Sequence, residues 1–290
     1  MTEFTTPEPI TLSVELAAGT VDVSTSAAGT STVELEPARP GDPEALALIE
    51  RARVTLDGST LVVHVPAGGL RGLLRRVPEI VARIQVPAGT ALQAATKSAD
   101  VTASVTLRQL RLSTASGDAT IGHVTGDASV DTASGDVRID LVDGNVRTKS
   151  ASGGISVDGC RGDARCQSSS GDVRLGDVGR ELDAKTSSGD VTADAVGGAA
   201  SVRTASGDVR LGGVGAGRSE ISAVSGDVSV AVAPDLGVWL DVSSVSGRIR
   251  STLNDAASGG SGAPASLTVH TVSGDITLAP SGRVPQHTPS

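Results

Sequence analysis

The sequence predicts an all-β fold, a parallel β-solenoid or β-helix of eighteen-residue coils, with irregular N-terminal coils and one short N-terminal helix. Three observations predict it. Tripeptides of the Ser-Gly-Asp type begin at Ser98, Ser116, Ser134, Ser152, Ser170, Ser188 and Ser206, each eighteen residues after the last. They recur at Ser225, Ser246 and Ser273, where the intervals stretch to 19, 21 and 27. Apolar and polar residues alternate within each period, as in a strand with one buried face. Aromatic residues are 1% of the chain, essentially Phe4 and Trp239, so small and β-branched side chains must fill the core; these suit a pleated surface and disfavour helix.

Taken in order, residues 1–97 read as an irregular β section that caps the solenoid. "ITLSVEL", "TVDVS", "STVELE", "VTLDGSTLVVHVP" and "VARIQVP" alternate as strands. Between them "PGDPEALALIERARV" predicts a short helix near 43–53, with Asp42 as cap, Pro43 at the first helical position and Leu46, Ile49 and Ala52 along one face. In "GGLRGLLRRVPEIV", Leu70, Leu73, Leu74 and Val77 share a helical face opposite Arg71, Arg75 and Arg76. This segment reads as a cap on the first coils, and Leu70, Arg71, Leu74, Arg75 and Arg76 are the candidates for contact with a partner or an anionic membrane surface.

Residues 98–279 read as the regular solenoid of about ten coils. Counting the Ser as zero, positions 3 and 5 are apolar (Val137 and Ile139, Val173 and Leu175), position 4 is polar, and position 8 is apolar again, which requires a corner. A second strand occupies positions 12 to 16, with Ala128, Val130 and Thr132 inward in one coil. Such a unit cannot bury its apolar side alone, but stacked on its neighbours it closes a narrow core. The turn column comprises Ser116, Gly117 and Asp118; Ser134, Gly135 and Asp136; Ser170, Gly171 and Asp172; Ser188, Gly189 and Asp190; and Ser206, Gly207 and Asp208. Here the glycines would supply backbone freedom, and Ser and Asp would bond nearby N–H groups in local turns. Residues 254–266 read as a flexible insertion and 280–290 as a disordered tail.

A net charge of −9 and a pI near 4.9 argue against nucleic acid, since neither a basic face nor aromatic stacking platforms are evident. No run of 18 apolar residues occurs, and "MTEFTTPEPITLSVEL" lacks the regions of a secretory signal. The expected location is therefore cytoplasmic, with membrane-peripheral contact through the basic segment. The Asp column could bridge calcium, but one Asp per coil, interrupted by Gly154 and Arg248, favours turn stabilisation. Arg138, Arg174, Arg210 and Arg250 read as a solvated column rather than an anion strip. Cys160 and Cys166, both inward, fit no zinc spacing and read as buried thiols. His64, His123, His270 and His287 are scattered. No catalytic, cofactor or metal residues are assigned.

The "SGDV" rungs from Ser98 to Leu278, the opening "FTTPEPITLSVELAAGTVDV" and the later "VARIQVPAGTALQAATKSADV" resemble the bacterial "putative adhesin" domain of unknown function, most closely its actinobacterial subgroup. The resemblance implies a β-solenoid with no catalytic motif and, for some members, a link to envelope stress. The expected function is a non-enzymatic, adhesin-like scaffold or protein-interaction module, with a protein partner or self-association. The alternative is a carbohydrate-active or calcium-stabilised β-helix.

Overall fold

The computed structural model describes residues 1–27, 29–67, 77–233, 236–253 and 265–282. Its regular elements are strands apart from one helix, and successive coils pair in parallel. The chain divides into two compact units, Met1–Val142 and Asp143–Ser290.

The first unit holds β1 (Thr2–Thr5), β2 (Thr11–Thr25), β3 (Thr30–Pro37), α1 (Pro43–Glu50), β4 (Arg53–Asp57), β5 (Thr60–His64), β6 (Ile80–Val86), β7 (Thr90–Ala103), β8 (Leu107–Thr114), β9 (Ala119–Val124), β10 (Ala128–Thr132) and β11 (Val137–Val142). The two alternating stretches at its start form the single strand β2. Gly19, at φ +120°, carries it round a corner so close to Ile80 that a Cβ would collide with that residue's carbonyl. β2 lies between two rungs. It pairs in parallel with β7 on one side, Leu12 opposite Leu92 and Val21 opposite Val101, and with β5 and β6 on the other, Leu12 opposite Leu61 and Val23 opposite Ile84.

The parallel ladder of this unit therefore begins well before Ser98, and its stacking order departs from chain order. It ends on antiparallel strands: β4 on β5, β3 on β6 and β1 on β3. Such strands cover an edge that would otherwise template further parallel rungs. α1 packs against β3, and Asp42 caps it by accepting the N–H groups of Glu44 and Ala45 at 2.9 and 3.2 Å. The helix buries Ala45 and leaves Leu46 45% exposed, so the face expected from Leu46 is not the packed one. Beyond β7 the rungs become regular, Val137 over Ala119 and Ile139 over Ile121.

The second unit holds β12 (Val146–Ser150), β13 (Ile155–Cys160), β14 (Ala164–Ser168), β15 (Val173–Val178), β16 (Leu182–Lys185), β17 (Val191–Val196), β18 (Ala200–Ser206), β19 (Val209–Val214), β20 (Gly217–Ser225), β21 (Val228–Val232), β22 (Val238–Ser246), β23 (Ile249–Ser251), β24 (Ala265–Ser273) and β25 (Ile276–Pro280). Ile155, Val173, Val191, Val209 and Val228 form one buried file, each paired with the next. Leu175, Ala193 and Leu211 form another, in which the small residue leaves room for its larger neighbours. Each fully buried Val, Ile or Leu contributes roughly 1.5–3 kcal/mol relative to exposure.

The last rungs are out of sequence. β24 pairs with β20 on one side and β22 on the other, and β25 likewise lies between β21 and β23. The final segment is thus inserted beneath a rung that precedes it in the chain. Ala265 and Ser266, expected in the flexible insertion, are the first residues of β24. Pro280, expected in the tail, ends β25, and Ser281 is buried with its hydroxyl donating to the Gly212 carbonyl at 2.8 Å. Residues 254–264 and 283–290 lie outside the described residues.

Candidate interaction surface

The turn column is a structural ladder, built differently from the local turns expected of it. Each Asp carboxylate accepts a backbone N–H one coil away. The N–H of Asp118 donates to Asp100 Oδ1 and that of Asp136 to Asp118 Oδ1, both at 2.9 Å. In the second unit the N–H of Asp190 donates to Asp172 at 3.0 Å and that of Asp208 to Asp190 at 2.8 Å. The hydroxyls of Ser116, Ser134, Ser170, Ser188 and Ser206 sit on exposed residues. The local turn contact comes instead from a buried Thr or Ser two residues earlier. Thr114, Thr132, Ser168 and Thr186 accept the N–H of Gly117, Gly135, Gly171 and Gly189 at 2.8–3.1 Å. Thr132 is expected inward from the sequence, but the turn contact of these hydroxyls is not; its signal is a polar residue at inward position 16.

The glycines are required by proximity. A Cβ on Gly117, Gly135, Gly171, Gly189 or Gly207 would collide with the carbonyl of the preceding coil's turn: Ala99, Gly117, Gly153, Gly171 or Gly189. None of these five has the positive φ that backbone freedom would imply. The column therefore serves stacking. One oxygen of each of these carboxylates is engaged by the next rung. Among the described residues no group of three or more His, Cys, Asp or Glu side chains could hold a metal ion.

Cys160 and Cys166 are both buried free thiols. Burial pushes the Cys166 thiol up to about 12, which keeps it protonated and unreactive at neutral pH. In the column read as solvated, Arg174 pairs with Asp172 at 2.7 Å, Arg250 with Asp275 at 3.3 Å and Arg138 with Asp140 at 3.6 Å. Leu70, Arg71, Leu74, Arg75 and Arg76, the candidates for partner or membrane contact, lie outside the described residues; Val77 is exposed. No helix among the described residues is long and apolar enough to cross a membrane.

A different face gathers unpaired charge. On the outward side of β12, β14, β16 and β18, Arg147 stands opposite Arg165, and Arg165 opposite Asp183. In the parallel file Lys149 stands opposite Gln167, Gln167 opposite Lys185, and Lys185 opposite Arg203. Lys185 pairs with Asp183 and Arg203 with Glu220, both at 3.3 Å. Arg147, Lys149 and Arg165 form no ion pair among the described residues. Arg165, Lys185, Arg203 and Arg218, together with Asp163, Glu181 and Asp183, line a groove of about 560 Å³ on this face. One oxygen of Asp183 is buried there without a hydrogen-bond partner. The signal in the sequence is a basic residue at an outward position in each of "VRTKS", "ARCQS", "LDAKT" and "SVRTA", two of them in the first.

The first unit has a smaller polar cleft of about 550 Å³, lined by Ser13, Glu15, Arg51, Arg53 and His64. His64 Nδ1 lies 2.8 Å from Glu15 Oε2, an exposed pair.

A family model described as Toastrack DUF4097 matches residues 54–213 and 145–279. No curated protein matches the chain in sequence. Among solved structures, one described as a putative lipid binding protein from Parabacteroides distasonis is 13% identical, covering 96% of this chain and 95% of its own, with a TM-score of 0.42. One described as a putative adhesin from Bacteroides fragilis is 12% identical over 96% and 95%, with a TM-score of 0.32. A second described as a putative adhesin, also from Parabacteroides distasonis, is 10% identical over 95% and 96%, with a TM-score of 0.32.

Proposed function

The chain belongs to the Toastrack DUF4097 family, and from that membership and the geometry above we propose that it is a non-enzymatic, adhesin-like interaction scaffold. Its working face is the outward side of β12, β14, β16 and β18, and its partner is a protein presenting an acidic surface. The observation that carries the reading is the cluster Arg147, Lys149 and Arg165, unpaired on one flat face of a chain whose net charge is −9. Like charges directly opposite across a ladder, as Arg147 and Arg165 are, destabilise it. An acidic partner relieves that repulsion, and the fixed register holds the cations at rung spacing, ~4.8 Å apart. Arg supplies a planar fork for carboxylates, so it suits such a surface better than a point charge.

The test is titration of the full chain with an acidic model peptide, oligo-glutamate, at low and at physiological salt. Binding that weakens steeply with salt, and that is lost when Arg147, Lys149 and Arg165 are all changed to Glu, supports the reading. No binding at low salt, or binding unchanged in the triple variant, overturns it.

A further inference from the structure

The second unit ends on a rung that is open on one side. Among the described residues β22 and β23 pair only with β24 and β25. A strand in that position presents a row of unpaired backbone groups, which natural proteins normally blunt with charge, proline or a covering element. Here the edge carries Asp241 and Arg250 but is otherwise lined by exposed apolar side chains. Trp239 is 64% exposed, Val245 82% and Ile249 48%. The outward position just before each turn Ser is Ala115, Ala133, Ala151, Ser169, Ser187 and Ala205 in the regular coils, but Val224, Val272 and Val245 in the last three rungs. All three valines are exposed. Large apolar side chains thus replace small ones only where the stack ends.

The sequence of β22 is self-complementary in antiparallel register. A two-fold axis through Val242 sets Trp239 of one strand opposite Val245 of the other, and Asp241 opposite Ser243. Trp239, Asp241, Ser243 and Val245 all share the outward face, because their neighbours Leu240 and Val242 pair with the buried Leu267 and Val269. The pairing therefore makes two aromatic–β-branched contacts, the kind that stabilises cross-strand pairs, and sets no like charges directly opposite, with the two copies of Asp241 only diagonal across the axis. Leu240, which is partly exposed on the core side of this rung, gains the second layer that every inner rung already has.

We infer that the protein forms a two-fold homodimer by antiparallel pairing of β22 with β22 of a second copy. The contact is isologous and closed, since it uses up the only end rung of this unit that the described residues leave uncovered. It is independent of the acidic-partner face, which lies on inner rungs.

Trp239 is the only tryptophan, so its emission reports the interface directly. Sedimentation of the full chain across low to high micromolar concentration should show a monomer–dimer equilibrium, with Trp239 emission moving to the blue in step. Val245→Glu, at a position 82% exposed in the monomer, sets a carboxylate against Trp239 and diagonal to Asp241 of the other copy. It should weaken dimerisation at least tenfold and return the emission to that of a solvated indole, with unchanged circular dichroism. A monomer at every concentration with solvated emission overturns the inference. So does a blue emission that ignores concentration, which would mean that the chain covers its own edge, and so does a dimer that Val245→Glu leaves intact.

Discussion

Asp227 Oδ1 accepts the backbone N–H of Asp275 at 2.8 Å, although 48 residues separate them. The same ladder runs on from Asp275 Oδ1 to the N–H of Arg248, 27 residues back. The order of rungs at this end is therefore Asp208, Asp227, Asp275, Arg248. Arg248 is the one turn residue here with no carboxylate to offer, and among the described residues no rung pairs beyond its own. At this end the break in the Asp column falls on the last of these rungs, whereas the break at Gly154 falls between coils.

The ladder makes each Asp a link between coils. Asp190→Ala should destabilise the protein by about 0.5–1.5 kcal/mol, because the exposed N–H of Asp208 exchanges its carboxylate acceptor for water. Asp190→Asn keeps an oxygen acceptor and should recover most of that loss. Urea unfolding of the three proteins measures it. Equal stability of wild type and Asp190→Ala would mean that the carboxylate is ornamental.

Glycine at the turn is a matter of space, which a pair of substitutions separates from conformation. Gly189→Ala drives a methyl group into the Gly171 carbonyl and should cost about 2 kcal/mol or more. Gly122→Ala, whose nearest neighbour is the Ala103 carbonyl at 3.6 Å, should be neutral or stabilising by about 0.5 kcal/mol. Thermal melts that rank the two variants the other way round would refute the steric account.

Cys166 gives a pH dependence with a defined sign. Its folded value of about 12 lies above the ordinary thiol range near 8.5, so burial favours the protonated form. The resulting contribution to stability is complete below about 8.5 and is lost as pH rises towards 12. The urea midpoint should therefore fall more between about pH 8.5 and 11 in the wild type than in Cys166→Ala. At pH 8 the native protein should resist a thiol reagent that labels both cysteines after unfolding. Rapid labelling of two thiols in the native state would contradict the burial.

The interior files were readable from the sequence because alternation and repeat spacing depend only on neighbours along the chain. Val137 over Ala119 and Ile155 over Val173 follow from that pattern. The reason for the glycines was not readable, since it lies in the distance between turns of different coils. Nor was the stacking order, because rungs with the same pattern are interchangeable partners in a parallel ladder. β2 between β5–β6 and β7, and β24 between β20 and β22, are the two places where that degeneracy was resolved by tertiary structure. The basic face on β12 to β18 was visible as spelling, but its meaning depended on which cations lacked acids, a property of side-chain geometry alone.

The most direct test of the stacked-rung account is a pair of double-cysteine variants at the second unit's end, oxidised and assayed for an intramolecular disulfide. Ser222 is the ladder partner of His270, and His270 that of Ser243. Ser222→Cys with His270→Cys should close readily, since adjacent rungs bring Cα atoms within the ~4.4–6.8 Å that a disulfide spans. Ser222→Cys with Ser243→Cys should not, because two rung spacings, ~9.6 Å, separate them. Efficient closure of the second pair and failure of the first would put the coils in simple chain order and contradict the architecture on which the rest is built.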